Sequence, residues 1–178
     1  MTDAEIYYDG RLDDILLEDY RRSRKAFLEG DRLRADQLYA ANRRHHCIDL
    51  YYEVELPKHV VFVHPLGTVL GRATYGDYLA VYQNVGVGSD LDGNRPVIGS
   101  GVVLYPGAKV LGKAIIGDNV FVTANTVIEN CIIPSNSVVF PIGVIPTDAE
   151  FVLAKESTCG WKHTKRSVIS HYWPKAGG

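Results

Sequence analysis

The stretch at residues 49–71 reads DLYYEVELPKHVVFVHPLGTVLG and holds the side chains best suited to proton transfer or metal binding. His64 stands directly before a proline in this stretch, and His59 precedes it by five positions. An imidazole near neutral pH can take a proton from a reacting hydroxyl group, or it can ligate a metal ion. From its residue type and position alone, His64 also fits a histidine whose hydrogen bonds are satisfied at a turn.

A six-residue period further along the chain indicates which elements position this histidine. From residue 98 the sequence reads IGSGVV, LYPGAK, VLGKAI, IGDNVF and VTANTV. The leading positions of the period are all aliphatic: Ile98, Leu104, Val110, Ile116, Val122 and Ile128. Neither an amphipathic helix nor an alternating strand has this period. A parallel β-helix does, because each of its short strands directs one aliphatic side chain into the core.

The period extends in both directions with two irregularities. It shifts by one residue at Cys131 and resumes at Ile133, Val139 and Ile145. Upstream it is weaker, and it can be followed through Ile48, Val54, Val60 and Leu66. The polar segment GSDLDGNRP interrupts it and predicts a loop at residues 88–96 that leaves one corner. We therefore expect about five coils of three strands each, a prism roughly 25 Å tall.

Two helices are predicted before the repeats. In residues 11–29 one side is apolar, with Leu12, Ile15, Leu16, Tyr20 and Phe27, and Gly30 is a plausible stop. Asp31 is a candidate cap for a second helix through about Asn42, which would bury Leu33, Leu38 and Ala41. The basic clusters at residues 21–25 and 43–46 are most simply solvated helix faces.

These elements divide the chain into three parts. We expect an N-terminal helical segment at residues 1–47, a β-helix at residues 48–147 and an irregular C-terminal tail at residues 148–178. The tail contains both tryptophans, Trp161 and Trp173, and we expect it to pack against a surface.

Composition narrows the classes of function. The chain has 178 residues, of which 46% are hydrophobic and 22% charged, and this excludes a disordered chain. Its 19 basic and 21 acidic residues give a net charge of −2, so no overall positive field attracts nucleic acid. Three widely spaced cysteines predict reduced thiols. With neither a signal sequence nor an apolar membrane span, we expect a cytoplasmic protein.

The segment at residues 64–71, HPLGTVLG, resembles the HxxGxVxG segment of serine acetyltransferases, the CoA-dependent enzymes that O-acetylate serine. The similarity continues through residues 81–88, the interrupting loop and residues 107–112, and it covers roughly residues 48–130. This resemblance implies a mainly β fold, a left-handed parallel β-helix of hexapeptide repeats. It also implies an acetyl-CoA-dependent O-acetyltransferase that acts on a small hydroxylated acceptor.

The family pairs its histidine with an upstream aspartate, and the matching position here is Asp49. Fifteen residues separate Asp49 from His64, which is nearly one coil of about 18 residues. The carboxylate would therefore lie near the imidazole, where it can fix the tautomer and stabilise the charged ring. His64 would then be the general base that takes the acceptor's hydroxyl proton during attack on the thioester carbonyl.

Two positions differ from the family. An aspartate that precedes the family's histidine, and that is interpreted as a partner for the substrate ammonium, is replaced here by Val63. A second histidine, near the substrate carboxylate, is replaced by Arg95. A guanidinium can still bind a carboxylate or phosphate. We therefore expect Arg95 to bind substrate, and an acceptor without an ammonium group near its reacting hydroxyl.

The resemblance also implies a coenzyme A groove between neighbouring prisms. The matching cofactor-binding positions are Gly88, Ser89, Tyr105, Pro106 and Ala124. Because such a groove needs two prisms, we expect a homotrimer with active sites between subunits. Its partners would be CoA and a small-molecule acceptor, with no nucleic acid, membrane or metal ion.

Three alternatives stay open at this point. A sugar or nucleotide-sugar acceptor in surface-polysaccharide synthesis fits the loss of the ammonium partner at Val63. A non-catalytic β-helix that serves as an assembly module is possible, although the presence of both Asp49 and His64 argues against it. The spacing of His59 and His64 also matches the zinc ligands of γ-class carbonic anhydrases, but no convincing third ligand accompanies them.

Overall fold

The computed structural model describes residues 12–141 and 143–146 of the chain. Two helices come first, α1 at Leu12–Leu28 and α2 at Arg32–His46. No helix in this part of the chain has the length and apolar character needed to cross a bilayer. The predicted tail, with Trp161 and Trp173, lies outside the described residues.

Short strands follow the helices. They are β1 (Asp49–Leu50), β2 (Val60–Val63), β3 (Val69–Leu70), β4 (Thr74–Tyr75), β5 (Leu79–Tyr82), β6 (Gly86–Gly88), β7 (Val97–Ile98), β8 (Val103–Leu104), β9 (Lys109–Leu111), β10 (Ile115–Ile116), β11 (Val120–Val122), β12 (Val127–Glu129), β13 (Ile132–Ile133), β14 (Ser137–Phe140) and β15 (Gly143–Pro146).

The strands form three sheets that enclose a prism. The first sheet has the order β1-β3-β6-β9-β12, the second β4-β7-β10-β13 and the third β2-β5-β8-β11-β14-β15. Neighbouring strands are parallel, except that β15 runs antiparallel to β14. From β2 onward, successive strands up to β14 lie on successive sheets, so the chain winds around the prism as the hexads predict. The five strands of the first sheet correspond to the predicted five coils.

Aliphatic side chains fill the prism in stacks that run along its axis. On the first sheet the stack consists of register partners at most 2% exposed: Leu50, Leu70, Val87, Val110 and Ile128. All six leading hexad positions from Ile98 to Ile128 are buried, as predicted. Burying each such side chain contributes about 1.5–3 kcal/mol, so the stacks hold consecutive coils together.

The upstream period is predicted correctly at three positions and wrongly at the fourth. Ile48, Val54 and Val60 are buried, but Leu66 is 59% exposed. The next core position is on the first sheet and belongs instead to Leu70, which pairs with Leu50 and Val87 and is 1% exposed. The first coil is longer than 18 residues, so a strict six-residue count drifts out of register there. The predicted shift at Cys131 is confirmed, because Ile116 pairs with Ile133.

Both predicted helices are present. Asp31 caps α2 as expected, and its Oδ1 accepts the backbone N–H of Arg34 at 2.9 Å. The predicted buried face of α2 is wrong at Leu33, which is 72% exposed, while Ala35 and Asn42 are buried. Ala35 is small enough for close contact with α1, since its carbonyl accepts the buried Ser23 hydroxyl at 2.8 Å.

The helices are tied to the first coil by polar contacts. The Arg24 guanidinium donates to the carbonyl oxygens of Tyr52, Glu53 and Val54 at 3.0, 3.4 and 3.3 Å. The Tyr20 hydroxyl also donates to the Val54 carbonyl. The prediction of a purely solvated basic cluster at residues 21–25 is therefore wrong at Arg24, which binds the carbonyl oxygens of a turn.

Candidate functional site

His64 lies at a corner that is bonded directly to the start of the first coil. The Gly67 N–H donates to the Cys47 carbonyl at 2.9 Å, and the Asp49 N–H donates to the Thr68 carbonyl at 2.8 Å. Asp49 is consequently the register partner of Val69, five residues after His64. The backbone thus brings Asp49 and the His64 corner to the same place in consecutive coils, as their spacing predicts.

This corner belongs to a column of corners between the third and first sheets, at residues 64–68, 83–85, 105–108 and 123–126, which we name the histidine edge. His64 itself is exposed and has a left-handed backbone with φ of 50°. Left-handed φ is uncommon for a residue with a side chain, although histidine tolerates it better than most. An exposed imidazole on a fixed corner is accessible to a substrate.

The Asp49 carboxylate is held by helix α2. Its Oδ1 accepts the Tyr39 hydroxyl at 2.6 Å, and its Oδ2 lies 3.6 Å from the Arg43 guanidinium. Within residues 12–141 and 143–146, no hydrogen bond or ion pair joins the His64 ring to this carboxylate. The assignment of the two residues as a catalytic pair therefore stays a prediction.

Tyr39 and Arg43 are contacts that the sequence analysis missed. Partial burial and the hydrogen bond to Asp49 raise the pKa of Tyr39 to about 12, so its hydroxyl is a donor at neutral pH. The two residues are four positions apart and therefore share one face of α2. A tyrosine and an arginine four positions apart on a predicted helix, shortly before a candidate catalytic carboxylate, are the sequence signal that could have indicated these contacts.

The loop at residues 88–96 leaves the corner between the first and second sheets, as predicted, and Asp90 organises it. Its Oδ1 accepts the backbone N–H groups of Asp92 and Asn94 at 3.0 and 2.9 Å, and its Oδ2 accepts the Asn94 side-chain amide at 2.7 Å. The side-chain bond from Asn94, together with these backbone bonds, lowers the pKa of the Asp90 carboxyl. The loop therefore has a defined shape just before Arg95.

Arg95 lines a groove of about 500 Å³ that crosses three coils. Residues 53–55 of the first coil and 95–97 of the third form its walls, and residues 72–74 form its floor. Arg72 of the floor donates to Glu53 of the wall at 2.7 Å, and Glu55 of the same wall pairs with Arg24 at 3.6 Å. In the described part of the chain Arg95 has no carboxylate partner, so a bound anion can provide one.

The predicted cofactor-binding residues fall into two groups. Tyr105, Pro106 and Ala124 lie at the histidine edge, where consecutive corners are joined through the Asn125 N–H and the Pro106 carbonyl at 2.9 Å. Gly88 and Ser89 lie at the opposite edge of the first sheet, where the loop begins. The structure thus does not bring the five residues together within one chain.

Tyr105 is fixed by aromatic packing on the outer face of the third sheet. Its ring centroid lies 4.6 Å from that of Tyr82 and 5.2 Å from that of Phe121. The ring is half-buried, so this position presents an apolar wall beside the histidine edge.

His59 lies at the opposite end of β2 from His64 and has its own partner. Its Nδ1 is 2.8 Å from Asp77 Oδ2, its backbone N–H donates to Asp77 Oδ1 at 2.7 Å, and its ring stacks on Tyr78 at 4.6 Å. Because β2 separates the two histidines by roughly 16 Å of extended chain, they do not share one metal ion. The described residues contain no group of three His, Cys, Asp or Glu residues that could hold a metal.

Comparisons with known proteins agree with this architecture. Residues 95–130 match the bacterial transferase hexapeptide family model of six repeats. A serine acetyltransferase from Staphylococcus aureus is 35% identical over 99 residues, which cover 53% of this chain and 46% of that protein. The chain thus spans about half the length of the curated relatives it matches.

Solved structures give the same result. Serine acetyltransferase isoform 3 from Entamoeba histolytica, in complex with cysteine, has a TM-score of 0.61 and 29% identity, covering 70% of this chain and 46% of that one. Serine acetyltransferase from Neisseria gonorrhoeae, in complex with serine, has a TM-score of 0.65 and 25% identity, covering 74% and 55%. With hexapeptide repeats that match a transferase family model and a prism of parallel coils, the chain is similar to serine acetyltransferases in sequence over about half of its length and in fold.

Proposed function

We propose that this protein is an acetyl-CoA-dependent O-acetyltransferase whose acceptor is serine or a close hydroxylated analogue. The observation that carries the proposal is the His64 corner, which is hydrogen-bonded onto the strand of Asp49 at one edge of a transferase-type β-helix. The similarity to proteins named serine acetyltransferase supports serine over a sugar acceptor.

The proposed reaction uses His64 as general base. Its imidazole takes the proton of the acceptor hydroxyl while the oxygen attacks the thioester carbonyl of acetyl-CoA, which supplies the activated acetyl group. The Asp49 carboxylate stabilises the imidazolium that forms. When the carbon–sulfur bond breaks, the imidazolium returns the proton to the departing CoA thiolate. The products are the O-acetyl ester and free CoA.

The apolar wall of Tyr105 and the corners at Pro106 and Ala124 fit a CoA pantetheine arm beside His64. A cation for its phosphates is available nearby, because the Lys109 side chain crosses Gly86 and its ammonium group contacts the Asn84 carbonyl at the same edge.

We further propose that the complete site forms between two copies of the chain in a homotrimer. His64 and Arg95 lie at opposite edges of the first sheet, which are separated by roughly 15 Å of extended chain. A molecule as small as serine cannot reach both within one subunit. Pairing the histidine edge of one copy with the loop of its neighbour would bring the two residues together. We place this reaction in the cytoplasm, in accord with the three widely spaced cysteines.

The groove also suggests how serine is bound despite the valine at position 63. Arg95 would pair with the acceptor carboxylate. Glu55 lines the same groove; Arg24 lies 3.6 Å from its carboxylate, but the side chain is 84% exposed, so an ammonium group can reach it as a further partner. In this proposal Glu55 takes the part that the family gives to the aspartate before the histidine.

The decisive experiment is an assay of acetyl-CoA consumption with serine, homoserine, simple sugars and nucleotide sugars. A kcat/KM for serine of at least ~10⁴ M⁻¹s⁻¹ would support the proposal. Turnover confined to a sugar or nucleotide sugar would favour the polysaccharide alternative. No turnover with any acceptor, by a folded protein, would favour the assembly module.

A further inference from the structure

We propose that helix α2 is the positioning element of the catalytic pair, and that Tyr39 and Arg43 are its positioning residues because they hold the Asp49 carboxylate beside the His64 corner. This inference rests on the proposed function. It adds an element outside the β-helix to the machinery of the reaction.

The contacts engage both oxygens of Asp49. The distance of 2.6 Å from the Tyr39 hydroxyl to Oδ1 is typical of an O–H group bonded to a charged carboxylate. Arg43 approaches Oδ2 at 3.6 Å, and its side chain is 60% exposed. On β3 the register partner of Asp49 is Val69. Tyr39 and Arg43 are thus the titratable and charged groups that the described residues place against this carboxylate.

The end of α2 is also linked to the His64 corner through the backbone. The Cys47 N–H donates to the Arg43 carbonyl at 3.1 Å, and the Cys47 carbonyl accepts the Gly67 N–H at 2.9 Å. One continuous set of hydrogen bonds therefore joins Arg43, Cys47 and the corner of His64. A displacement of α2 would move both members of the pair.

Anchoring of the helix does not depend on Tyr39. Ala35 is fully buried between the helices, and the Tyr52 hydroxyl of the first coil donates to Asp36 of α2 at 2.7 Å. The Tyr39 contact differs from these in one respect, namely that its acceptor is the carboxylate predicted to orient His64.

The Tyr39 and Arg43 side chains have two expected effects on the proposed pair of Asp49 and His64. They restrict the rotation of Asp49, which favours the reactive arrangement of the imidazole. The two donors also partly neutralise the negative charge of the carboxylate and so weaken its attraction for an imidazolium. A carboxylate has about four acceptor positions, so Tyr39 and Arg43 leave room for His64.

The test compares four variants of the full chain: Tyr39→Phe and Arg43→Ala, with Tyr52→Phe and Arg43→Lys as matched controls. Tyr52→Phe removes a bond of nearly the same length between the same coil and helix, and Arg43→Lys keeps the charge. Two quantities are measured for each variant. One is the pH profile of kcat/KM with acetyl-CoA and serine, and the other is the titration of the His64 ring, followed by NMR through its Cε1–H signal.

Tyr39→Phe should lower kcat on the order of tenfold. It should also move the acidic limb of the kcat/KM profile and the midpoint of the His64 titration to higher pH. Arg43→Ala should move both in the same direction, because a positive charge near the imidazolium is removed. The two controls should move neither.

Equal shifts in Tyr39→Phe and Tyr52→Phe, or no shift in either, would overturn the inference and make Tyr39 a helix anchor only. A shift of the His64 midpoint that is confined to Tyr39→Phe and Arg43→Ala supports it. The NMR measurement needs no turnover, so that support holds even if His64→Ala keeps full activity. Full activity of His64→Ala would count against the proposed function alone.

Discussion

Replacing His64 by alanine should reduce acetyl transfer by at least ~10², because a general base commonly contributes 10²–10⁴ in rate. The fold should persist, because the His64 side chain is exposed and adds no packing to the core, although its backbone is left-handed with φ of 50°. Single-turnover measurement of CoA release checks the rate, and circular dichroism checks the fold.

His59→Ala is the matched control for this variant. It removes the other histidine that flanks β2, together with its bond to Asp77, and should leave turnover close to that of the natural chain. The assignment of the general base is wrong if the two variants show the reverse pattern.

Arg95→Ala should raise the KM for serine and change kcat much less, because it removes a contact made equally in the ground state and the transition state. The reason is that, among the residues the structure describes, the Arg95 guanidinium in the groove has no carboxylate partner, and a substrate carboxylate would provide one. Arg72→Ala is the comparison, because Arg72 lines the same groove but already pairs with Glu53 at 2.7 Å. A larger KM effect in Arg72→Ala would contradict this assignment.

At the scale of elements, the loop at residues 88–96 is held by one ionised carboxyl group. The pKa of Asp90 is lowered in the folded chain, so the bonds it accepts are fully formed above the ordinary pKa of an aspartate. They are lost as the pH falls through the lowered value. The amide signals of Asp92 and Asn94 should therefore shift together on acidification, in an NMR titration.

Asp90→Asn should reproduce that loosening at neutral pH and raise the KM for serine, because Arg95 lies in the same loop. Asp92→Asn makes the same change of charge two residues away, at an exposed side chain, and should have a smaller effect. Equal effects of the two variants would indicate that the charge of the loop, and not the hydrogen bonds of Asp90, determines the KM for serine.

The elements also show which features a sequence can predict. The hexads from Ile98 onward predict the core correctly, because one aliphatic side chain per strand is a local, repeated requirement. The six-residue period wrongly predicts that Leu66 is buried, because a longer corner in the first coil shifts the period and no sequence motif indicates this shift. The spacing of Asp49 and His64 was sufficient to predict that the two residues lie near one corner. The bond from Tyr39 to Asp49 was missed, because it depends on how a helix packs against a prism, which no period encodes.

At the scale of the whole molecule, we expect a stable trimer in solution. The outer positions on the second sheet include Val97, Ile115 and Ile132, which are 43%, 45% and 72% exposed. Such apolar rows favour burial against another copy. Light scattering should give three times the 19.7 kDa of one chain at micromolar concentration. A stable monomer that still turns over serine would contradict both the trimer and a site shared between copies.

The reversed strand β15 has a consequence for how this solenoid ends. Parallel coils leave unpaired N–H and C=O groups at the last strand of each sheet, where a foreign strand could add and start a fibre. On the third sheet, β15 folds back antiparallel along β14 and occupies that edge. Its last residue, Pro146, has no N–H to offer to a further strand. A strand that adds to this end of the third sheet must therefore pair with β15 in place of the last parallel coil.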